Sequence, residues 1–173
     1  MIESEYLKNL VAKAKKLQKT IVLPEGEDER ILKAAHIIAE EEAANLVILG
    51  DETEIKNYFA QNNWSMNRIS IVAPETSPKL EEYANLLYEL RKAKGMTPED
   101  ACKTARDANY FGTLMVKAGD ADGMLSGANH STADTVRPAL QIIKSAHKDR
   151  GVSAALISVK DGEAYLLSDC GGH

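Results

Sequence analysis

The 173-residue chain is poor in aromatic side chains, at 5% of its residues, and holds only two cysteines, five prolines and one tryptophan. The cysteines, Cys102 and Cys170, lie far apart and fit no metal or redox spacing. Cys102, among Ala101, Ala105 and Ala108, reads as a small core residue. The four histidines (His36, His130, His147 and His173) show no ligand spacing either, so no metal is expected. No apolar run approaches the roughly 18 residues of a membrane-spanning helix, and Met1-Ile-Glu-Ser-Glu5 is not a signal peptide. A reducing cytoplasmic setting away from membranes is therefore expected. Basic charge is not in excess, since 21 Lys and Arg face 26 Asp and Glu for a net charge of −5. That balance argues against sequence-independent nucleic-acid binding, although a local Arg and Lys cluster can still hold a small phosphorylated ligand. No Gly-x-Gly-x-x-Gly follows a predicted strand, which weighs against a dinucleotide-dependent dehydrogenase.

What is present alternates between helical periodicity and short β-rich runs. Tyr6, Leu10, Val11, Ala14 and Leu17 predict a first amphipathic helix, followed by a strand at Thr20-Ile-Val-Leu23. After the turn Pro24-Glu-Gly-Glu27, a helix opening at Asp28 or Glu29 is expected to bury Ile31, Ala34, Ala35 and Ile38. Leu46-Val-Ile-Leu49 is a continuous apolar strand of the kind buried on both faces of a parallel sheet. A helix near 52–60, a strand at Ile69–Ala73 and a long helix stopped by Gly95 follow. Thr97-Pro-Glu-Asp100 has the cap, proline and acid of a helix start, and the helix is expected to reach about Asn109. Leu114-Met-Val116 suits another short helix or strand, and Ala121–Leu125 a strand. The repeated β–α units predict an α/β protein, a three-layer α/β/α stack around a mainly parallel sheet. Near Gly151 the character changes to a hairpin, Ala154–Val159 and Ala164–Leu167 joined by Asp161-Gly162.

The stretch from Ser126 to Lys144 combines a polar opening, Ser126-Gly-Ala-Asn-His-Ser-Thr132, with an apolar-periodic segment carrying Arg137. A helix beginning between Ser131 and Asp134 is predicted, with Val136, Leu140, Ile143 and Ala139 on its apolar face. Its free N–H groups and the nearby hydroxyls could serve an anion, a phosphate or a developing oxyanion, or simply an ordinary N-cap. Arg137 suits bidentate phosphate contacts, or a surface pair with Asp134.

This stretch resembles the signature of the phosphate acetyl/butaryl transferase family. Leu23-Pro-Glu-Gly-Glu-Asp-Glu-Arg30, Leu90-Arg-Lys-Ala-Lys-Gly-Met-Thr97, Asn109-Tyr-Phe-Gly-Thr-Leu-Met-Val-Lys117 and Asp120-Ala-Asp-Gly-Met-Leu-Ser126 match further family blocks in order. The resemblance implies a fold like that of isocitrate and isopropylmalate dehydrogenases, with an N-terminal α/β domain over 1–147 and the incomplete start of a second domain over 148–173. It implies reversible acetyl transfer between coenzyme A and inorganic phosphate through acetyl phosphate. Butyryl transfer, or a non-catalytic module binding coenzyme A or acetyl-coenzyme A, remains as an alternative. Coenzyme A would be a substrate, with no tightly bound cofactor, and the complete enzyme would be a homodimer. Carried over by motif, Arg91, Ser126, Gly127, His130, Ser131, Thr132 and Arg137 are the substrate-binding candidates. The family's thiol-deprotonating aspartate has no counterpart in these residues, so no catalytic residue is assigned and the chain is expected to be weakly active or inactive alone. The acidic 24–29 turn is expected to be structural. The resemblance also leads us to expect an apolar patch where the family's C-terminal segment packs.

Overall fold

The computed structural model describes residues 5–144, 154–160 and 163–169. Four short strands, β1 (Thr20–Leu23), β2 (Asn45–Leu49), β3 (Ile69–Val72) and β4 (Gly123–Met124), form one sheet in the order β3-β2-β1-β4. Every pairing in it is parallel. Val22, Val47 and Leu49 enter the hydrophobic cluster on one face, and Leu23, Leu46 and Ile48 the cluster on the other. Burial on both sides is why these strands read as unbroken apolar runs.

The first face is covered by α4 (Leu80–Arg91), α5 (Pro98–Ala105) and α6 (Ala108–Ala118), through Tyr83, Leu87, Ala101, Phe111 and Leu114. The second is covered by α2 (Glu29–Glu40) and α3 (Glu52–Gln61), through Leu32, Ala35, Ile55 and Phe59. The architecture is thus three-layer α/β/α. Helix starts are fixed locally: Asp28, Asp51, Thr97 and Asp107 each accept a backbone N–H from the first turn that follows. Gly26 is held where any side chain would collide, since an added Cβ would lie 2.5 Å from the Leu49 carbonyl oxygen. Its own N–H donates to that oxygen at 3.1 Å, drawing the β1 exit against the end of β2.

Several sequence expectations are corrected. The helix opened by Thr97 stops at Ala105, because Asp107 caps a new helix, α6, by accepting from the Tyr110 N–H at 3.1 Å. Helix α1 (Glu5–Leu17) buries none of its residues, and Leu10 and Leu17 are exposed. The strand expected over 121–125 contracts to the two residues of β4, and β3 ends at Val72. Helix α7 (Thr132–Pro138) is followed by a π turn, Ala139–Ile143, adjacent to Pro138, which has no N–H to give. Its inward face is one residue away from the expected one. Pro138 and Ile142 are buried, whereas Val136, Leu140 and Ile143 are 40%, 51% and 40% exposed. Packing of Ile142 into the cluster of α4 and α6, with the Tyr110 hydroxyl donating to Gln141 Oε1 at 3.0 Å, selects that rotation. Cys102 is half-buried at the edge of the same cluster.

Strands β5 (Ala154–Lys160) and β6 (Glu163–Asp169) pair antiparallel, from Ala154 opposite Asp169 to Lys160 opposite Glu163. The expected Asp161-Gly162 turn and Cys170 lie outside the described residues. Among the described residues, no helix is long and apolar enough to cross a membrane, and no group of three or more His, Cys, Asp or Glu could hold a metal ion.

Candidate functional site

The strand order reverses between β1 and β4: the chain moves outward through β1, β2 and β3, then returns to the other edge of β1. In parallel α/β sheets ligands bind outside the carboxyl ends of the strands at such a switch point. The segments leaving the two strands there are 24–28 and 125–131. They are tied together chiefly by one side chain.

Glu25 is 0% exposed, and its carboxylate accepts the backbone N–H groups of Gly127, Ala128, Asn129 and His130 at 3.1, 3.0, 2.7 and 3.0 Å. The His130 imidazole Nδ1 lies 2.8 Å from Glu25 Oε1. Burial alone would raise the carboxyl's pKa, but the bonds from His130 and from the backbone outweigh it and hold the pKa at about 2. The same contact raises the His130 pKa against the opposing effect of desolvation. Gly127 sits at φ +111°, the left-handed conformation that lets successive N–H groups turn toward one carboxylate. Arg30 reinforces the staple, forking onto Asp28 and donating from Nη2 to the Ala128 carbonyl at 2.7 Å.

The sequence-predicted residues fall into two groups. Ser126, Gly127, His130, Ser131 and Thr132 share the stapled loop and the start of α7. The Ser126 hydroxyl donates to Asn109 Oδ1 at 2.7 Å. Ser131 is the N-cap, accepting from the Asp134 N–H at 3.2 Å and donating to Asp134 Oδ2 at 2.6 Å. Four consecutive N–H groups of the loop are thus engaged by Glu25, so a ligand here would rely chiefly on side-chain donors. Thr132 is exposed on the first turn of α7.

Arg91 and Arg137 form the second group. Both guanidiniums act on the Tyr110 phenol, whose pKa is raised by burial and partly offset by these two cations. Ile142, in the turn that follows α7, packs in the cluster shared by α4 and α6. Arg91 Nε is buried with no partner among the described residues. Arg137 is exposed, 3.7 Å from Asp134, a loose pair that leaves the guanidinium available. Asp107, the N-cap of α6, acts electrostatically on both Tyr110 and His130. Guanidiniums, hydroxyls and an imidazole are the donor types suited to holding phosphoryl oxygens.

A separate cleft of about 490 Å³ runs along the exits of β1, β2 and β3. It is lined by Glu27, Asp51, Glu52 and Glu75 against one cation, Arg106, which disfavours an anionic ligand. None of the sequence-predicted residues lines it. Sequence reading took Glu25 and Arg30 within a structural turn and Asn109 and Tyr110 within a family block, without assigning them partners. No local signal marks them, because their partners lie 17 to 105 residues away.

The family model for phosphate acetyl/butaryl transferase matches residues 5–173. The chain belongs to this family. It is 44% identical over 165 residues to a phosphate acetyltransferase of Helicobacter pylori, with 95% of this chain and 32% of that protein covered. Against the phosphate acetyltransferase of Acetivibrio thermocellus it is 44% identical over 172 residues, covering 96% of this chain and 51% of the relative. Among solved structures it resembles the EutD phosphotransacetylase from Staphylococcus aureus, with a TM-score of 0.82 and 38% identity over 96% of this chain and 52% of that one. A phosphotransacetylase from Streptococcus pyogenes gives a TM-score of 0.81 at 37% identity, covering 92% of this chain and 50% of that one. The chain thus spans about half the length, or less, of these family members.

Proposed function

We propose that the chain carries the coenzyme A- and phosphate-binding part of a phosphate acetyltransferase, with an α/β domain over residues 1–147 and the start of a second domain over 148–173. The observation that supports this reading is the stapled loop at the sheet's switch point, which gathers Ser126, Gly127, His130, Ser131 and Thr132 and leads into α7 with its exposed Arg137. Family membership and the names of the relatives support acetyl as the transferred group. In this reading the two arginines hold phosphoryl oxygens, while Ser126, His130, Ser131 and Thr132 line the path to the acyl carbonyl and Gly127 shapes it. Thiolate attack of coenzyme A on acetyl phosphate forms the thioester carbon–sulfur bond. The carbon–oxygen bond to phosphate breaks, and inorganic phosphate leaves with the bonding pair. The chain's own contribution is placement and charge stabilisation; we assign the thiol's base to none of its residues. Coenzyme A acts as a substrate, no tightly bound cofactor is needed, and the working enzyme is a cytoplasmic homodimer.

The test is thioester formation from acetyl phosphate and coenzyme A, with coenzyme A binding measured by calorimetry on the same protein. Arg137→Ala is expected to weaken binding by about tenfold or more, the usual loss for one charge-assisted contact. Its stability should be unchanged, because the side chain is exposed and only loosely paired. Unaltered affinity in Arg137→Ala would refute the assignment. Binding without turnover is expected of part of the enzyme as much as of a non-catalytic module, whereas turnover would exclude the latter.

A further inference from the structure

Of the groups at the switch point, His130 has the least ordinary surroundings. Its Nδ1 faces a fully buried carboxylate, and its backbone N–H donates to the same oxygen at 3.0 Å. The side chain remains 29% exposed, and no hydrogen bond engages Nε2 among the described residues. A ring bonded through one nitrogen presents the other on its opposite edge. Glu25 also holds the main chain on both sides of Ala128, so the ring's anchor and its loop are fixed by one group.

We propose that Glu25 is a positioning residue that holds His130 with Nδ1–H toward the buried carboxylate and presents Nε2–H at the β1/β4 crevice as a donor to an anionic oxygen of the substrate. The inference rests on the reading of this crevice as the site for coenzyme A and acetyl phosphate. Glu25 does not touch substrate; it acts through His130.

The charge requirement follows from the ring. With Nδ1–H committed to Glu25, Nε2 bears a proton only in the imidazolium. The acids facing His130 favour that form: Glu25 beyond β1, Glu27 on the same turn and Asp107 at the start of α6. Arg30 is the opposing cation nearby, and its charge is spent on Asp28. His130 is therefore charged at lower pH and loses its Nε2 proton as pH rises through its raised pKa. Substrate affinity should fall in the same window.

The experiment follows His130 ring nitrogens by NMR in the full chain, with and without saturating acetyl phosphate, and measures its affinity by calorimetry from pH 6 to 9. Acetyl phosphate keeps a constant charge over most of this range. The free protein is expected to show the Nδ1–H form on deprotonation, and the Nε2 signal to shift on binding. Affinity is expected to drop roughly tenfold across the His130 titration. His130→Gln places a neutral donor near the Nε2 position and should abolish the pH dependence while keeping part of the affinity. It leaves Glu25 its four backbone donors, so it avoids the folding risk of a Glu25 substitution. A His130 ring that ignores bound acetyl phosphate, or a wild-type pH slope in His130→Gln, overturns the role. If coenzyme A still binds in that case, the reading of the site stands without this residue. If neither ligand binds, both fail.

Discussion

Glu25 Oε1 and His130 Nδ1 lie 2.8 Å apart across 105 residues of sequence, joining the exit of β1 to the loop beyond β4. Strand β4 contributes only two residues to the sheet, Gly123 and Met124, paired with Ile21 and Val22. The loop is therefore held more by one carboxylate than by the sheet it leaves.

Replacing Glu25 by alanine leaves four backbone N–H groups without their acceptor and the imidazole without its partner. A loss of about 3–5 kcal/mol is expected, the range for breaking a buried charged network. Urea unfolding of Glu25→Ala measures it. A loss under about 1 kcal/mol would mean that water replaces the carboxylate at little cost.

The same pair sets two pH edges. Glu25 ionises more readily in the folded protein, so its stabilisation is present above its ordinary value of 4.5 and is lost as pH falls toward about 2. That shift corresponds to about 3 kcal/mol. His130 is raised, so its contribution is full below its ordinary value of 6.5 and is lost as pH rises through the folded-state value. Denaturation midpoints across pH should fall on both sides, and the alkaline loss should vanish in His130→Gln.

The rotation of α7 predicts opposite outcomes for neighbouring residues. Leu140→Ser, at 51% exposed, should cost under about 0.5 kcal/mol, whereas Ile142→Ser, at 0%, should cost several. Equal effects in thermal unfolding would refute the rotation. Val136, Leu140 and Ile143 together form an exposed apolar stripe, and Leu156 and Leu167 are exposed as a cross-strand pair on one face of the hairpin.

Gly26→Ala should destabilise by about 1–3 kcal/mol, the usual cost of overpacking. Its Cβ would meet a backbone oxygen, Leu49 O, rather than a yielding side chain. A chemical-denaturation midpoint equal to that of the parent would show that the β1 exit can move away.

The sheet and its layers were legible in Leu46–Leu49, and the helix starts in Asp28, Thr97 and Ser131, because apolar runs and caps are local. The rotation of α7 was not. That segment has apolar residues on adjacent faces, and the choice between them depends on the groove that receives Ile142. Glu25 was read as a structural turn, which fits its burial, but its grip on the loop connects residues that no periodicity relates. Arg91 and Arg137 were singled out chiefly by family resemblance; that both act electrostatically on Tyr110 depends on the packing of the turn after α7 against α4 and α6.

Gly26 and Glu25 emerge early in synthesis, yet the loop that Glu25 grips follows about a hundred residues later. The staple closes a long loop, so its formation belongs after the early β–α–β nucleus in the folding sequence. Interactions formed late leave the refolding rate nearly untouched and are felt when the native state opens. Substitution at Glu25 should therefore steepen neither arm of the chevron but lift its unfolding limb, making this carboxylate a brake on the loss of the native state.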